Sequence, residues 1–529
     1  MSSSEQDRFI YDEVSYPELC YGLTHPGRTA AIATILGMQP APVEACRVLE
    51  IGCASGGNLI PMAHGLPGSS FVGMDLSARQ IDRATELAGS LGLQNVRFLH
   101  ADLSEPGLEA GEFDFIIAHG VYSWVPAPVQ DKLLEACKRL LARSGVAYIS
   151  YNTLPGWSSI LNVREIINFH TRHLSDPRER VRVGRDFLSS LLPMLPEADN
   201  SAFTVFLRDY IATRFRRFAD RRDWEESMLL HDELSEVNAP VYFHQFAAHA
   251  ARHGLGYLAE ADFPRVMPNE LAAEDAATLQ QSSKSIIEFE QYLDFVRDQT
   301  FRSTLLVHDD TRIGRQLDGN RVRQLYVSSR ARFVRDDDGN ECFRTAEGAR
   351  WPAEEAITSA AMLHLEAVAP RAIRFPDLLE AACRSLNLNG TPEKAATVLA
   401  DDLLAAFAVD TQLVEFLAWS PPVAPHAGEH PRMSEVARQQ AKESLTVSTL
   451  LHEQAQLDPT ARALAALLDG NHDRPALLQA LSSYKESLPF AGDDASSLTS
   501  APPGAEGGLP EQTLEYSLAR LANAGLLCL

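Results

Sequence analysis

The amino-acid sequence predicts an α/β fold in its first half, built on a mainly parallel β-sheet. Short apolar runs rich in β-forming residues alternate with helical stretches between residues 47 and 150, which is typical of parallel strands joined by crossover helices. The first run ends at a glycine-rich turn, residues 52–57, and a helical stretch follows it. Only glycine lets a backbone approach a ligand so closely, so this strand, turn and helix predict a nucleotide-binding corner.

Composition limits the possible functions. The 529 residues include 47 Lys and Arg against 71 Asp and Glu, a formal net charge of −24. This balance argues against general nucleic-acid binding, which needs basic patches to neutralise phosphates. With 45% hydrophobic residues the chain should fold into roughly three or four globular domains.

The cysteines and the N-terminal residues indicate where the protein resides. The seven cysteines are dispersed and form no C-x-x-C pair, which predicts reduced thiols in a cytoplasm. The polar N-terminus shows no signal peptide, and no run of about 20 apolar residues predicts a membrane span.

Seven strands are expected in the sheet. We predict them at residues 47–51, 70–75, 96–100, 113–118, 145–150, 256–261 and 301–308. Helices are expected near residues 59–64, 77–91 and 127–143, between the strands. Ligands of such sheets bind beyond the carboxyl ends of the strands, and we call this edge the mouth.

Residues 158–240 interrupt the alternation and are predicted to be helical. We therefore assign residues 1–157 and 241–315 to the sheet domain and residues 158–240 to a helical insertion over the mouth. The arginines of the insertion either bind an acidic substrate surface or form a solvated helical face, and we favour the second interpretation.

The remaining chain is predicted to be mainly α-helical. Residues 316–420 combine short strands with three amphipathic helices and a final strand, which suggests a winged-helix-like module. Its second and third helices are not basic, so we interpret it as a packing or protein-interaction module and not as a DNA reader. Residues 421–529 are expected to form a helical module with a disordered loop at 486–511, which is rich in Gly, Ser, Ala and Pro.

Acidic residues near the glycine-rich turn distinguish between nucleotides. Asp75 lies roughly 20 residues after Gly52, the spacing expected of an acid that reaches ribose hydroxyls. Ala54 occupies the position of the second glycine in a dinucleotide fingerprint, and a nucleoside without phosphates needs less of that cradle. Asp102, with apolar Leu103 beside it, can accept a hydrogen bond from the amine of an adenine. Together these residues favour S-adenosylmethionine.

The candidate cofactor-binding residues lie in five stretches. Glu50 ends the first strand, where it can orient the pocket or bind the methionine ammonium through water. Tyr11 and Tyr16 either close over the ligand or pack the N-terminal arm onto the domain. The full set is Tyr11, Tyr16, Glu50, Gly52, Cys53, Ala54, Gly56, Asn58, Asp75, Leu76, Asp102, Leu103 and His119.

The sequence resembles the class I S-adenosylmethionine-dependent methyltransferases. Residues 49–58, 72–77 and 113–121 look like three of their motifs, in order and at the right separations. Further stretches resemble the bacterial members that carry a methyltransferase regulatory domain, a group that includes rickettsial protein-lysine methyltransferases. These stretches are residues 11–17, 24–26, 151–157, 231–234 and 238–243. The resemblance implies a Rossmann-like seven-stranded sheet and a lysine acceptor.

Aromatic residues follow the fourth and fifth strands, at the mouth. Such rings attract an ammonium or sulfonium by about 0.5–2 kcal/mol each. We predict that Tyr151 and Asn152 orient the acceptor. The residues expected to line its channel are Tyr122, Trp124 and Trp157. For any single ring, the alternative of a core aromatic residue under the insertion is expected equally.

His119 follows the fourth strand directly. It contacts the cofactor, acts as a base, or is a hydrogen-bonded loop histidine. No spacing such as H-E-x-x-H occurs in the sequence, so no metal site is predicted.

Three functions remain open from the sequence. The first is a methyltransferase acting on a protein side-chain amine, with lysine as the expected acceptor. The second is a methyltransferase acting on a small molecule, and the third is a cofactor-binding regulatory protein without turnover.

Overall fold

A computed structural model describes residues 18–103, 113–196, 201–217, 227–335, 339–487 and 510–529. Its centre is a seven-stranded sheet in the order β3-β2-β1-β4-β5-β7-β6. The strands are β1 (Arg47–Ile51), β2 (Ser70–Asp75), β3 (Val96–His100), β4 (Phe113–Ala118), β5 (Leu141–Asn152), β6 (Leu255–Glu260) and β7 (Phe301–His308). Strands β1 to β5 pair in parallel, and β7 runs antiparallel to both β5 and β6. The predicted seven-stranded sheet is confirmed.

Four helices pack beside the first five strands. They are α1 (Pro26–Ile35), α2 (Leu59–Gly65), α3 (Ala78–Ser90) and α4 (Ala127–Leu140). Helix α3 begins where the Ser77 side chain accepts a hydrogen bond from Gln80 N at 3.2 Å, which is ordinary N-capping. Helix α4 ends earlier than the predicted residue 143, because Leu141 already pairs with Phe113 of β4 and starts strand β5.

The insertion has a small apolar core of its own. It contains α5 (Trp157–Thr171), α6 (Pro177–Leu191), α7 (Ala202–Arg217) and a π-helical turn (Leu229–Glu233). Val163, Val181, Leu207 and Leu230 are among its buried residues. Residues 197–200 and 218–226 of the predicted helical insertion lie outside the described residues.

The chain then returns to the sheet. Helix α8 (Phe243–Arg252) precedes β6, and α9 (Ala273–Ser282) and α10 (Ile286–Arg297) precede β7. Arg302 of β7 is buried with three acids, Glu260, Glu290 and Asp294, and bonds to each of them. These bonds fix α10 and β6 to the last strand.

Residues 326–417 form a module that packs directly against the sheet domain. Its strands are β8 (Tyr326–Ser328), β9 (Arg332–Arg335), β10 (Glu341–Arg344), β11 (Arg350–Pro352), β12 (Ile373–Arg374) and β13 (Glu415–Leu417). Its helices are α11 (Ala356–Val368), α12 (Phe375–Ser385) and α13 (Glu393–Val409), as expected from the sequence. Phe343 and Phe416 belong to the same core as Phe71 and Tyr148 of the central sheet.

The C-terminal part has a separate core that includes Met433, Leu477, Leu518 and Leu527. Its elements are α14 (Glu435–Gln440), β14 (Thr446–Ser448), β15 (Gln454–Gln456), α15 (Pro459–Ala465), α16 (Arg474–Ser487) and α17 (Pro510–Asn523). The β14–β15 hairpin was not predicted, because strands of three residues are too short to show an alternating pattern. The loop predicted to be disordered, 486–511, lies largely outside the described residues. Within the described ranges, every helix is too short or too polar to cross a bilayer.

Candidate active site at the carboxyl ends of the strands

The glycine-rich turn after β1 adopts the tight path that its sequence requires. Gly52, Ala54 and Gly56 have φ values of +75°, +45° and +79°. A Cβ atom added at Gly52 would lie 2.7 Å from Val121 Cγ2, so a side chain does not fit there. The N–H groups of Gly52 and Cys53 donate to Met74 O at 2.8 and 3.1 Å, which joins this turn to the end of β2. We call residues 50–58 the glycine corner.

Asp75 connects the glycine corner to the next strand end. Its Oδ2 accepts from Ala54 N and its Oδ1 accepts from Ser77 N, both at 2.9 Å. In the parallel pairing of β2 with β3, Asp75 lies opposite His100, which comes two residues before Asp102. Leu76, with 44% of its surface exposed, and partly buried Leu103 complete this set of predicted residues.

Asn58 is the hydrogen-bonding centre of the corner. Its Nδ2 donates to Glu50 Oε1 at 2.6 Å. Its Oδ1 accepts from Tyr21 N at 3.0 Å, Thr24 Oγ1 at 3.2 Å and His452 Nε2 at 2.8 Å. Asn58 therefore links the glycine corner to the N-terminal arm and to the C-terminal part of the chain.

Glu50 provides a test of whether the site suits a cationic ligand. The residue is 3% exposed, and its Oε2 has no hydrogen-bond partner among the described residues. Burial raises the pKa of its carboxyl to about 7, an effect that the bond from Asn58 partly offsets. A buried carboxyl with one unused oxygen is suited to a positively charged group such as the ammonium of S-adenosylmethionine. The residues therefore fit this cofactor.

His119 lies just past β4, between the N-terminal arm and β7. Its ring packs on Tyr21 with centroids 3.7 Å apart and against Phe301 at 6.1 Å. Its Nδ1 is 3.0 Å from Tyr148 Oη, and Tyr148 donates its hydroxyl proton to Ser303 Oγ at 2.9 Å. The Nδ1 atom also lies 3.3 Å from Ser150 Oγ, so the hydroxyl groups of two residues contact this side of the ring. Burial lowers the pKa of His119 to about 4, so the ring is neutral at pH 7.

Tyr122 and Tyr151 lie in the core between the sheet and α8. They are 2% and 1% exposed, and the Tyr151 ring stacks on Phe246 at 4.0 Å. Their hydroxyl groups bond inside the protein, Tyr151 to Thr304 Oγ1 at 2.9 Å and Tyr122 to His249 Nδ1 at 2.8 Å. The prediction that these two rings contact the acceptor gains no support from this packing.

Asn152, Trp124 and Trp157 lie where the end of β5 meets the insertion. Asn152 N donates to Ser123 Oγ at 2.9 Å, and its Nδ2 donates to Asn238 Oδ1 at 3.4 Å. The two indole rings meet edge to face, with centroids 6.4 Å apart. Trp157 Nε1 is buried without a partner among the described residues. The structure brings these three predicted residues together.

The structure adds residues that sequence inspection missed. Tyr21, Phe301 and His452 all contact predicted site residues, yet none was singled out. Tyr21 could have been predicted as an aromatic residue of the N-terminal arm. The sequence analysis names Tyr11 and Tyr16 of that arm, and both lie outside the described residues. No local sequence pattern connects His452 with the site, because it is 394 positions from its partner Asn58.

Three family models match the chain. A methyltransferase domain matches residues 48–145, a "predicted methyltransferase regulatory domain" matches residues 225–308, and the "PKMT, C-terminal winged helix domain" matches residues 429–526. The winged-helix match lies in the C-terminal part of the chain, after the segment 316–420 for which we predict a winged-helix-like module.

Similar proteins occur in Rickettsia. One uncharacterized protein of Rickettsia prowazekii is 37% identical over 61% of this chain, and the chain spans 56% of that relative's length. A second is 35% identical over 46% of this chain, and the chain spans 95% of it.

Solved structures of similar proteins show the same fold. The structure of PKMT2 from Rickettsia typhi matches with a TM-score of 0.82 at 26% identity, over 97% of this chain and 99% of that one. PKMT2 in complex with AdoHcy matches with a TM-score of 0.81. The chain therefore belongs to the S-adenosylmethionine-dependent methyltransferases that carry a methyltransferase regulatory domain and a C-terminal winged-helix domain.

Proposed function

We propose that this protein transfers methyl groups from S-adenosylmethionine to lysine side chains of proteins. The likeness to PKMT2 carries the proposal, because it extends over 97% of the chain and includes the regulatory and winged-helix segments. A likeness restricted to the methyltransferase segment would say nothing about the acceptor, since many chemistries share that fold.

The glycine corner and the neighbouring strand ends would hold the cofactor. Glu50 faces the positively charged methionine end, Asp75 the ribose, and Asp102 with Leu103 the adenine. The bound cofactor supplies an electrophilic methyl group, which a neutral amine takes by in-line displacement.

The acceptor lysine must lose its proton before it reacts, because a free lysine has a pKa near 10.4. His119 stays neutral, because burial lowers the pKa of its ring to about 4, so it can accept a hydrogen bond from the neutral amine but does not take the proton of the lysine. Tyr21 and Phe301 pack around His119 and limit access of water to it. We assign Asn152, Trp124 and Trp157 to the acceptor side of the mouth. Tyr122 and Tyr151 are positioning residues that support this side from the core.

Labelling of a protein extract tests the proposal. The purified protein is incubated with methyl-tritiated S-adenosylmethionine and a cell extract, and protein is separated from small molecules by acid precipitation. We expect label in the precipitate and, after acid hydrolysis, in ε-N-methylated lysine. Acetylation of the lysine side chains of the extract beforehand converts their amines to non-nucleophilic amides and should abolish this labelling.

Two variants connect the labelling to the site. Asp75→Ala removes the carboxylate that joins the glycine corner to the turn after β2, and it should abolish labelling. Asp82→Ala, on the exposed face of α3, is the control and should leave labelling unchanged. Label found in small molecules would favour the small-molecule acceptor. Binding of AdoHcy without any labelling would favour a regulatory protein without turnover.

A further inference from the structure

Three potential metal ligands converge on the surface where α4 meets α8. Asp131 Oδ1 on α4 lies 2.8 Å from His249 Nε2 and 3.1 Å from His253 Nε2. His249 is on α8 and His253 is its C-cap. We propose that Asp131, His249 and His253 bind a divalent transition-metal ion, zinc by ligand preference, that ties the methyltransferase segment to the regulatory segment.

The geometry of the three ligand atoms suits a small cation. They all lie within 4.8 Å of one another. Tetrahedral zinc with bonds of about 2.0–2.2 Å places its ligand atoms about 3.4 Å apart, so small side-chain rotations admit the ion. Residues four apart in a helix share one face, which is why both imidazoles reach the same carboxylate.

A further hydrogen bond fixes the orientation of one ligand. His249 Nδ1 lies 2.8 Å from the hydroxyl of Tyr122, a fully buried side chain. With its Nε2 on a metal, the ring carries its proton on Nδ1 and donates it to the Tyr122 oxygen. Partners of this kind orient metal-binding histidines and raise ligand affinity.

The charge and exposure of the site also suit a bound ion. The Asp131 carboxylate contacts both imidazoles and brings a negative charge to the site. The Asp131 side chain is 56% exposed and that of His253 is 21% exposed. An ion can therefore reach the three ligands from solvent, and water can fill its fourth position.

The site would link two segments that different family models match. Asp131 lies in the methyltransferase match, 48–145, and both histidines lie in the regulatory match, 225–308. Asp131 and His249 are 118 positions apart, so the local spacing of ligands in the sequence does not predict this metal site.

Calorimetric titration with Zn²⁺ tests the proposal. The full chain, purified without a polyhistidine tag, should bind one equivalent of Zn²⁺, and the melting temperature should rise with Zn²⁺ concentration. We expect His253→Ala and Asp131→Asn to weaken Zn²⁺ binding at least tenfold. Both residues are partly exposed, so these variants should fold.

His244→Ala is the matched control, because His244 is an exposed histidine of the same helix outside the cluster. It should bind Zn²⁺ as the unaltered protein does. Substitution with Co²⁺ should give visible d–d bands without a thiolate charge-transfer band, which excludes the cysteines as ligands. Absence of Zn²⁺ binding, equal affinity in all four proteins, or a thiolate band would overturn the proposal.

Discussion

Substitution of Asn58 by alanine should weaken both the fold and cofactor binding. The change removes the bond to Glu50 Oε1 at 2.6 Å and the bond from His452 Nε2 at 2.8 Å. It also removes the bond from the backbone N–H of Tyr21, a residue that is only partly buried. Thr24 keeps a partner, because its hydroxyl also donates to Tyr21 O at 2.7 Å. Glu50 and His452, each 3% exposed, are then left without these partners inside the protein.

The magnitude follows from those two groups. A buried polar group that loses its partner costs about 1–3 kcal/mol, so Asn58→Ala should destabilise the fold by about 4 kcal/mol. At about 2–4 °C per kcal/mol for a domain of this size, the melting temperature should fall by about 10 °C. Loss of the Asn58 bond also raises the pKa of Glu50 further, so its carboxyl is protonated at pH 7. AdoHcy binding should weaken about tenfold, or about 1.4 kcal/mol.

Asn95→Ala is the matched control for this experiment. The Asn95 Nδ2 donates to the carbonyl oxygens of Ala63, Leu66 and Ser69 at 2.9, 3.1 and 3.0 Å, away from the glycine corner. This variant should melt at a lower temperature but bind AdoHcy with unchanged affinity. Differential scanning fluorimetry and isothermal titration calorimetry measure the two effects. The reasoning is refuted if Asn58→Ala keeps its AdoHcy affinity within twofold, or if Asn95→Ala loses as much.

Two further predictions concern buried charges. AdoHcy affinity should fall as pH is lowered from 8 to 6, because the Glu50 carboxyl, with a pKa of about 7, must give up its proton to pair with the ammonium of the ligand. Each pH unit below that pKa costs up to about 1.4 kcal/mol, and calorimetry of Glu50→Gln should show a flat profile. Arg302→Met should destabilise the fold by about 3–5 kcal/mol in thermal melts, because three buried acids lose their counter-charge. Arg143→Met, which breaks an exposed pair with Asp310, should cost less than about 1 kcal/mol, and equal losses would contradict this account.

Much of the site was predictable because its signals are local in the chain. The turn at 52–57 needs glycine for positive φ and close contact, and that need is visible in the residues themselves. Asp75 and Asp102 follow strands that alternate regularly with helices, so parallel pairing places them at one edge. The local geometry of the glycine corner could therefore be predicted from the sequence.

The orientation of the aromatic residues could not be predicted in this way. Tyr122 and Tyr151 were expected at the acceptor channel because of their positions after β4 and β5. Where each ring packs depends on helix α8, whose Phe246 contacts both Tyr122 and Tyr151 from about 95 or more positions later in the chain. Similarly, Tyr21 and His452 reach Asn58 only because the arm and the C-terminal part fold back onto the corner.

The sequence by itself determined the sheet, the glycine corner and the class of cofactor, since these depend on strand periodicity and on backbone freedom at a few glycines. Only the tertiary structure decided that Asn58 joins three distant segments and that Asp131 meets two histidines of the regulatory segment. The physical reason is that hydrogen bonds and metal ligation act over about 3 Å in space, whatever the separation along the chain.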